Sequence, residues 1–177
     1  MESMFIGQPW YEYLDESMKD LVDMAYYIYD REAMRSEELH DYSFVVFPMA
    51  KAFEGYLKKY LHDIGLISTK EMMSKHLRIG SSLNPDLPKI FRREGWLVDD
   101  LTRFCQRSTE AAHHKLADLL WNTWVKCRNR LFHYYPEHIE FISLSEAWNR
   151  LNMVKDAMAA CMDCRTNIFR QGEKIDK

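Results

Sequence analysis

The stretch that decides the fold lies at residues 111–136 and reads AAHHKLADLLWNTWVKCRNRLFHYYP. Pro136 prevents a helix from continuing past the two tyrosines before it. Ahead of that stop, apolar residues recur at steps of three or four, which is the period of a helix with one buried side. We therefore predict a long helix from about Ala111 to Leu131. Its buried stripe consists of Leu116, Leu120, Trp124, Cys127 and Leu131.

Three further segments show the same helical period, and each has a residue suited to start a helix. Gly65 is well placed to stop the second of them. Pro48 must lie in the first turn of that helix, because proline lacks the N–H that a helix interior needs. The predicted helices run from after Pro9, from Asp41 or Ser43 to about Ile64, and from Ser143 or Ser145 to about Phe169.

The middle of the chain is predicted to hold short helices and a loop. Thr69–Leu77 and Leu97–Cys105 suit short helices, whereas Pro85 and Pro88 favour a loop over residues 80–88. No alternating period-two run is long enough to predict a sheet. The expected fold class is therefore all-α, a bundle of four long helices plus short helices.

The composition predicts one globular domain over residues 1–177. Hydrophobic residues make up 47% and charged residues 29%, which is typical of a globular protein. The six glycines and five prolines are too few for a turn-rich β-fold. No repeat or linker is visible. We expect an acidic N-terminal helix in residues 1–40, a core bundle in residues 41–170 and a frayed tail in residues 171–177.

The charge is unevenly distributed. A net charge of −3 argues against a protein that coats nucleic acid electrostatically. Residues 1–41 hold eleven acidic and three basic side chains, a balance of −8. Residues 70–93 hold six basic and two acidic side chains, a balance of +4. This basic segment could steer an RNA backbone to one place, or it could be an ordinary solvated loop.

The N-terminal residues and the cysteines predict a compartment. Residues 1–10 lack the cationic start and apolar run of a signal peptide, and no apolar stretch approaches the roughly 20 residues of a membrane span. We expect a cytoplasmic protein with reduced thiols and no membrane association. Cys161 and Cys164 have CxxC spacing without a second ligand pair, so buried packing thiols are favoured over a zinc or redox site.

The residues that suggest chemistry are Arg128, Asn129 and His133. On a regular helix Arg128 and His133 are about 500° apart, but a loosened last turn would let His133 swing back toward Arg128. A histidine can accept the proton of an RNA 2′-hydroxyl or protonate the leaving 5′-oxygen. An arginine can stabilise the charge on the phosphate, and Asn129 can orient it. The set therefore suits metal-free RNA cleavage to a 2′,3′-cyclic phosphate.

The order Arg128-Asn129-x-x-x-His133, late in a long helix, resembles the Arg-x4–6-His signature of HEPN domains. The resemblance covers about residues 40–170. It implies a metal-independent endoribonuclease of the toxin–antitoxin or phage-defence type that needs no cofactor. It also implies a homodimer with a composite site and a protein antitoxin as partner.

Two finer resemblances involve further residues. The order Arg128-x4-His133-x-Tyr135 resembles HEPN toxins paired with nucleotidyltransferase antitoxins, which implies that Tyr135 is a modification target. Residues 41–59 resemble the start of the HEPN domain in RNase LS-type toxins, which implies that Glu54 assists at the active site. We assign Lys51, Arg130 and Tyr135 to RNA contacts. Tyr135 could equally be a packing residue.

Simpler interpretations exist for the same side chains. Arg128 could bridge an acidic residue, His133 could cap a helix C-terminus, and Glu54 could pair with Lys51 or Lys58. One alternative function is a HEPN bundle kept as a non-catalytic binding or dimerisation module. Another is a structural helical adaptor, which predicts intramolecular salt bridges around Arg128.

Overall fold

The computed structural model describes residues 3–92, 96–133, 136 and 139–175, with the backbone alone for 171–175. Within these residues all regular structure is helical and no strand occurs, which confirms the all-α prediction. None of the described helices is long and apolar enough to cross a membrane. The α-helices are α1 (Pro9–Glu12), α2 (Glu16–Ala33), α3 (Ser43–Asp63), α4 (Thr69–Met72), α5 (Ile79–Ser82), α6 (Leu97–Cys105), α7 (Leu116–Trp124), α8 (Arg130–Phe132) and α9 (Leu144–Ile175).

The predicted long helix exists, but its geometry changes along its length. It begins with a 3₁₀ turn at Ala111–Lys115, continues as α7, widens into a π-helical turn at Val125–Asn129 and ends with α8. A second 3₁₀ turn lies at Lys89–Phe91. The first predicted helix is divided into α1 and α2, because Asp15 adopts an extended conformation before α2 begins.

Four local predictions were wrong. Pro48 lies inside α3 at its sixth residue, beyond the first turn. The helix can begin earlier because the Asp41 carboxylate accepts the Ser43 amide at 3.1 Å. Burial of Val46 and Met49 around the proline offsets the hydrogen bond that it lacks. The other three errors concern extents: α4 stops at residue 72, α5 occupies the start of the predicted loop, and α9 extends to residue 175.

The core is organised around α3, which packs against α2 and α9. Phe53, Tyr56 and Leu57 of α3 have no exposed surface, and the Tyr56 hydroxyl donates to the Met158 carbonyl of α9 at 2.9 Å. Burying side chains of this size contributes roughly 1.5–3 kcal/mol each. The buried face of α3 therefore fixes this helix in place, and its opposite face is left to carry polar groups.

The four cysteines, all among the described residues, are buried and form no disulfide. Burial in apolar surroundings raises the pKa of the Cys127 thiol to about 12. The predicted role as buried packing residues is confirmed.

Candidate functional site

A cavity of about 520 Å³ lies between the polar face of α3, the π-helical turn and α5. Arg128, Asn129, His133 and Glu54 all line it. The structure therefore brings together the four residues that the sequence proposed as catalytic, although Glu54 is 74 positions from Arg128.

Arg128 and His133 line one cavity from two different kinds of backbone. The Arg130 amide donates to the Val125 carbonyl, five residues back, instead of four as in an α-helix. This π-helical turn carries Arg128 and Asn129 and ends before His133. His133 itself is extended, with φ −116° and ψ 132°, and ends the helix. The π-helical turn lies upstream of the last turn of the helix. The sequence had indicated the last turn itself as the irregular one.

Arg128 is held by an acidic partner and an aromatic ring. Its Nε and Nη2 donate to Glu54 Oε2 at 3.1 and 3.0 Å, and its guanidinium lies 5.1 Å from the centre of the Trp124 ring. Lys58 Nζ lies 3.2 Å from the other Glu54 oxygen. This bears out the simpler interpretation that Glu54 pairs with a lysine, and it gives Arg128 an intramolecular salt bridge. The guanidinium is thereby fixed in orientation at the cavity wall.

The electrostatic state of Glu54 follows from these contacts. Partial burial raises the pKa of its carboxyl, but hydrogen bonds from Lys58 and Arg128 outweigh burial and hold the pKa below its usual value. Glu54 is therefore ionised at neutral pH. It acts as an anchor for two cations, because a carboxylate with a lowered pKa is a weak proton acceptor.

The segment around α5 closes the cavity opposite Arg128. An added Cβ on Gly80 would lie 2.5 Å from Trp124 Nε1, so only glycine lets the α5 backbone approach this ring so closely. Ile79 is buried, whereas Lys75 and Arg78 are exposed on the cavity side. The docking of Gly80 thus delivers part of the basic segment 70–93 to the site.

The cavity is strongly positive. Among the described residues, its charged lining consists of four cations and one carboxylate: Lys58, Lys75, Arg78, Arg128 and Glu54. The formal balance is +3 with His133 neutral, on a protein whose net charge is −3. This local concentration of positive charge suits a polyanion.

Two neighbouring cavities hold the predicted RNA contacts. One of about 430 Å³ contains Lys51 and shares Glu54, Lys58 and Arg128 with the central cavity. Another of about 680 Å³ contains Arg130. Lys51 and Arg130 therefore flank the central cavity and do not line it. Tyr135 lies outside the described residues.

Sequence reasoning missed several residues at the site. It identified the basic segment but not which of its side chains reach the cavity. It gave Asn84 no role, and it interpreted Trp121 as a core or dimer-interface residue in preference to a base-stacking one. The only signal for Lys75 and Arg78 was charge density, and nothing in the sequence pairs Gly80 with Trp124. Among the described residues no group of three or more potential metal ligands occurs.

No family model, curated protein or solved structure significantly matches this chain. The resemblance to HEPN domains therefore rests on the residues quoted above.

Proposed function

We propose that this chain is a HEPN-type, metal-independent endoribonuclease that cleaves RNA by attack of a 2′-hydroxyl on the adjacent phosphate. The observation that carries the proposal is the convergence of Arg128, Asn129, His133 and Glu54 on one positive cavity. These side chains come from two helices that the bundle holds side by side.

In the proposed reaction the 2′-oxygen forms a bond to phosphorus while the bond to the 5′-oxygen of the next nucleotide breaks. The 2′-hydroxyl loses a proton and the leaving 5′-oxygen gains one. His133 performs one of these two transfers, since an imidazole can accept or donate a proton near neutral pH. The products are a 2′,3′-cyclic phosphate and a 5′-hydroxyl.

Arg128 stabilises the charge that builds on the phosphate oxygens. Its contacts with Glu54 occupy Nε and Nη2, and among the described contacts Nη1 makes none, so this edge remains to bind a phosphate oxygen. Asn129 orients the phosphate through its amide. Glu54 is a positioning residue, because it acts through Arg128.

The wider setting of the activity is proposed from the same resemblance. It includes a homodimer with a composite site, a cytoplasmic location and a protein antitoxin, for which the resemblance at Tyr135 indicates a nucleotidyltransferase. The biological role is a toxin or a phage-defence nuclease.

One observation favours a second candidate, a structural helical adaptor, which predicts an intramolecular salt bridge at Arg128. Arg128 is engaged by Glu54, and an arginine held in a salt bridge can serve structure alone. This alternative predicts no RNA cleavage, as does the non-catalytic binding module, in which Arg128 would contact a nucleotide or a partner.

The test is incubation of the purified protein with total RNA in excess EDTA. The comparison includes His133→Ala and, as a matched control, His114→Ala at the opposite end of the same helix, about 28 Å away. We expect the wild type and His114→Ala to produce 2′,3′-cyclic phosphate ends, and His133→Ala to produce none. Cleavage that survives in His133→Ala overturns the proposed mechanism, and intact RNA with the wild type favours the binding module.

A further inference from the structure

The cavity of about 680 Å³ that contains Arg130 lies beside the central cavity. The two cavities share three lining residues, which mark their junction: Asn84, Trp121 and Asn129. The volume lies within the range of small-molecule binding sites. A chain whose phosphate lies beside Arg128 would therefore place a neighbouring nucleotide at this junction.

Trp121 differs from the other tryptophans of the chain. Its half-buried ring takes part in none of the aromatic or cation–π contacts found among the described residues. Each of the other four has such a contact: Trp10 with Phe5, Trp96 with Arg92, Trp124 with Arg128 and Trp148 with Tyr29. Trp121 therefore offers an aromatic surface toward the cavities without an internal ring partner.

The polar groups around Trp121 suit the edge of a nucleobase. Asn84 Oδ1 accepts the Asp86 amide at 2.9 Å, which leaves the NH₂ of Asn84 as a donor. Asn129 adds a second half-buried amide, which can donate and accept. Bases in single-stranded RNA are recognised by this combination of ring stacking and edge hydrogen bonds.

The charges at the far end of this cavity suit a phosphate. Among the described lining residues the one carboxylate, Glu140, already accepts from Arg150 Nη2 at 2.8 Å. Arg130 is exposed and has no ion-pair partner among the described residues. The positive charge of Arg130 thus remains available to the RNA backbone.

We propose that this cavity is a base-binding subsite in which Trp121 stacks on an unpaired nucleobase next to the cleaved phosphate. The amide of Asn84 contacts the edge of the base, and Arg130 contacts the next phosphate. The subsite deepens the proposed ribonuclease function and rests on it for the identity of the ligand. It makes single-stranded RNA the substrate class, because a base within a duplex cannot reach the ring.

The test is equilibrium binding of a labelled, single-stranded 2′-fluoro RNA oligonucleotide, which lacks the attacking hydroxyl and cannot be cleaved by the proposed route. We expect Trp121→Ala to raise Kd about tenfold, the effect of losing one stacked base. Trp121→Phe, which keeps an aromatic face and the packing, should stay within about threefold. Tyr27→Ala, which removes an exposed ring from α2 outside these cavities, should bind as the wild type does.

Unchanged binding by Trp121→Ala, or no binding by the wild type, overturns the subsite. A blunt duplex that binds as tightly as the single strand also overturns it. Failure of the catalytic proposal is distinguishable, because the Trp121 dependence would then persist in a protein that leaves ordinary RNA intact.

Discussion

The two ends of the same long helix each carry a histidine among polar groups, and the two clusters differ in kind. At the first end His113 is buried, with Nδ1 2.7 Å from Ser108 Oγ and Nε2 3.7 Å from Glu110. The Ser108 hydroxyl also lies 2.8 Å from Asn167 Oδ1 of α9. These groups are satisfied within the fold and tie the loop before the helix to the bundle.

At the other end His133 is exposed and lines a cavity together with a fixed arginine. The residues around His133 place an excess of positive charge toward solvent. In the first cluster, by contrast, the polar groups face the interior. The comparison teaches that residue type alone does not separate a structural histidine from a functional one. What separates them is whether the polar groups around the ring face the interior or a cavity open to a ligand.

The largest expected effect is at Arg128. Arg128→Ala should lower the rate of RNA cleavage about 10²- to 10³-fold, because the charge developing on the phosphate loses its main donor. Arg128→Lys, which keeps the charge without the planar fork, should lose less. Cleavage of a single-stranded RNA in EDTA measures both. Arg103→Ala, an exposed arginine on α6, is the control, and equal rates for Arg103→Ala and Arg128→Ala would count against the site.

A substitution in the first cluster, around His113, should change the stability of the fold and not the rate of RNA cleavage. His113→Ala removes a buried ring and its hydrogen bond with Ser108, which keeps Asn167 as a partner, and should lower the free energy of unfolding by about 1–3 kcal/mol. The corresponding fall in Tm is roughly 2–10 °C, with the cleavage rate unchanged. Calorimetry of His113→Ala beside His76→Ala, an exposed histidine outside this cluster, makes the comparison. An unaltered Tm in His113→Ala would show that the buried cluster does not stabilise the fold.

Gly80 of α5 contacts Trp124 of the long helix, and this contact links the stability of the fold to the cluster around His133. Gly80→Ala would force its Cβ against the Trp124 ring, and overpacking of this kind costs about 1–3 kcal/mol. Because α5 follows the segment that carries Lys75 and Arg78, RNA binding should weaken as well. Urea unfolding and RNA titration test this, with Ser82→Ala on the same helix as control. Wild-type behaviour of Gly80→Ala in both assays would mean that this close approach is not required.

The smallest expected effect is at Glu54. Its carboxyl has a lowered pKa in the folded state, so its stabilising contribution is present at neutral pH and is lost as pH falls through that pKa. Glu54→Gln should therefore cost less than about 1 kcal/mol at pH 7, since the pair is partly exposed. The difference from the wild type should shrink as the pH falls below 4.5, the ordinary pKa of this carboxyl. Urea titrations at pH 7 and at successively lower pH check the sign, with the exposed Glu16→Gln as control. A difference that grows toward acid would contradict the assignment.

The sequence predicted the regular parts of the fold well and the irregular parts poorly. The bounds of α3 follow from local signals, with the Asp41 cap before it and Gly65 after it, so they were placed to within about two residues. The π-helical turn was missed, because the apolar spacing from Leu116 to Leu131 is compatible with an unbroken α-helix. The sequence predicted an irregular helix end that would bring His133 toward Arg128, but it did not predict a π-helical turn at Val125–Asn129.

The residues of the candidate site likewise fall into those that local sequence signals predict and those that they do not. Arg128, Asn129 and His133 lie close together in the sequence, so their type and spacing predicted a cluster. Trp121 lies seven residues before Arg128 on the same long helix. Lys75 and Arg78 reach the central cavity through tertiary packing. That packing depends on the contact of Gly80 with Trp124, 44 residues apart, which local patterns do not encode.

The most direct test is the rate of cleavage of one single-stranded RNA in EDTA by wild type, His133→Ala and His113→Ala, each with its Tm measured. Our account predicts that His133→Ala keeps the wild-type Tm and loses cleavage, whereas His113→Ala has a lower Tm and still yields 2′,3′-cyclic phosphate ends. Cleavage by His133→Ala at the wild-type rate would contradict it.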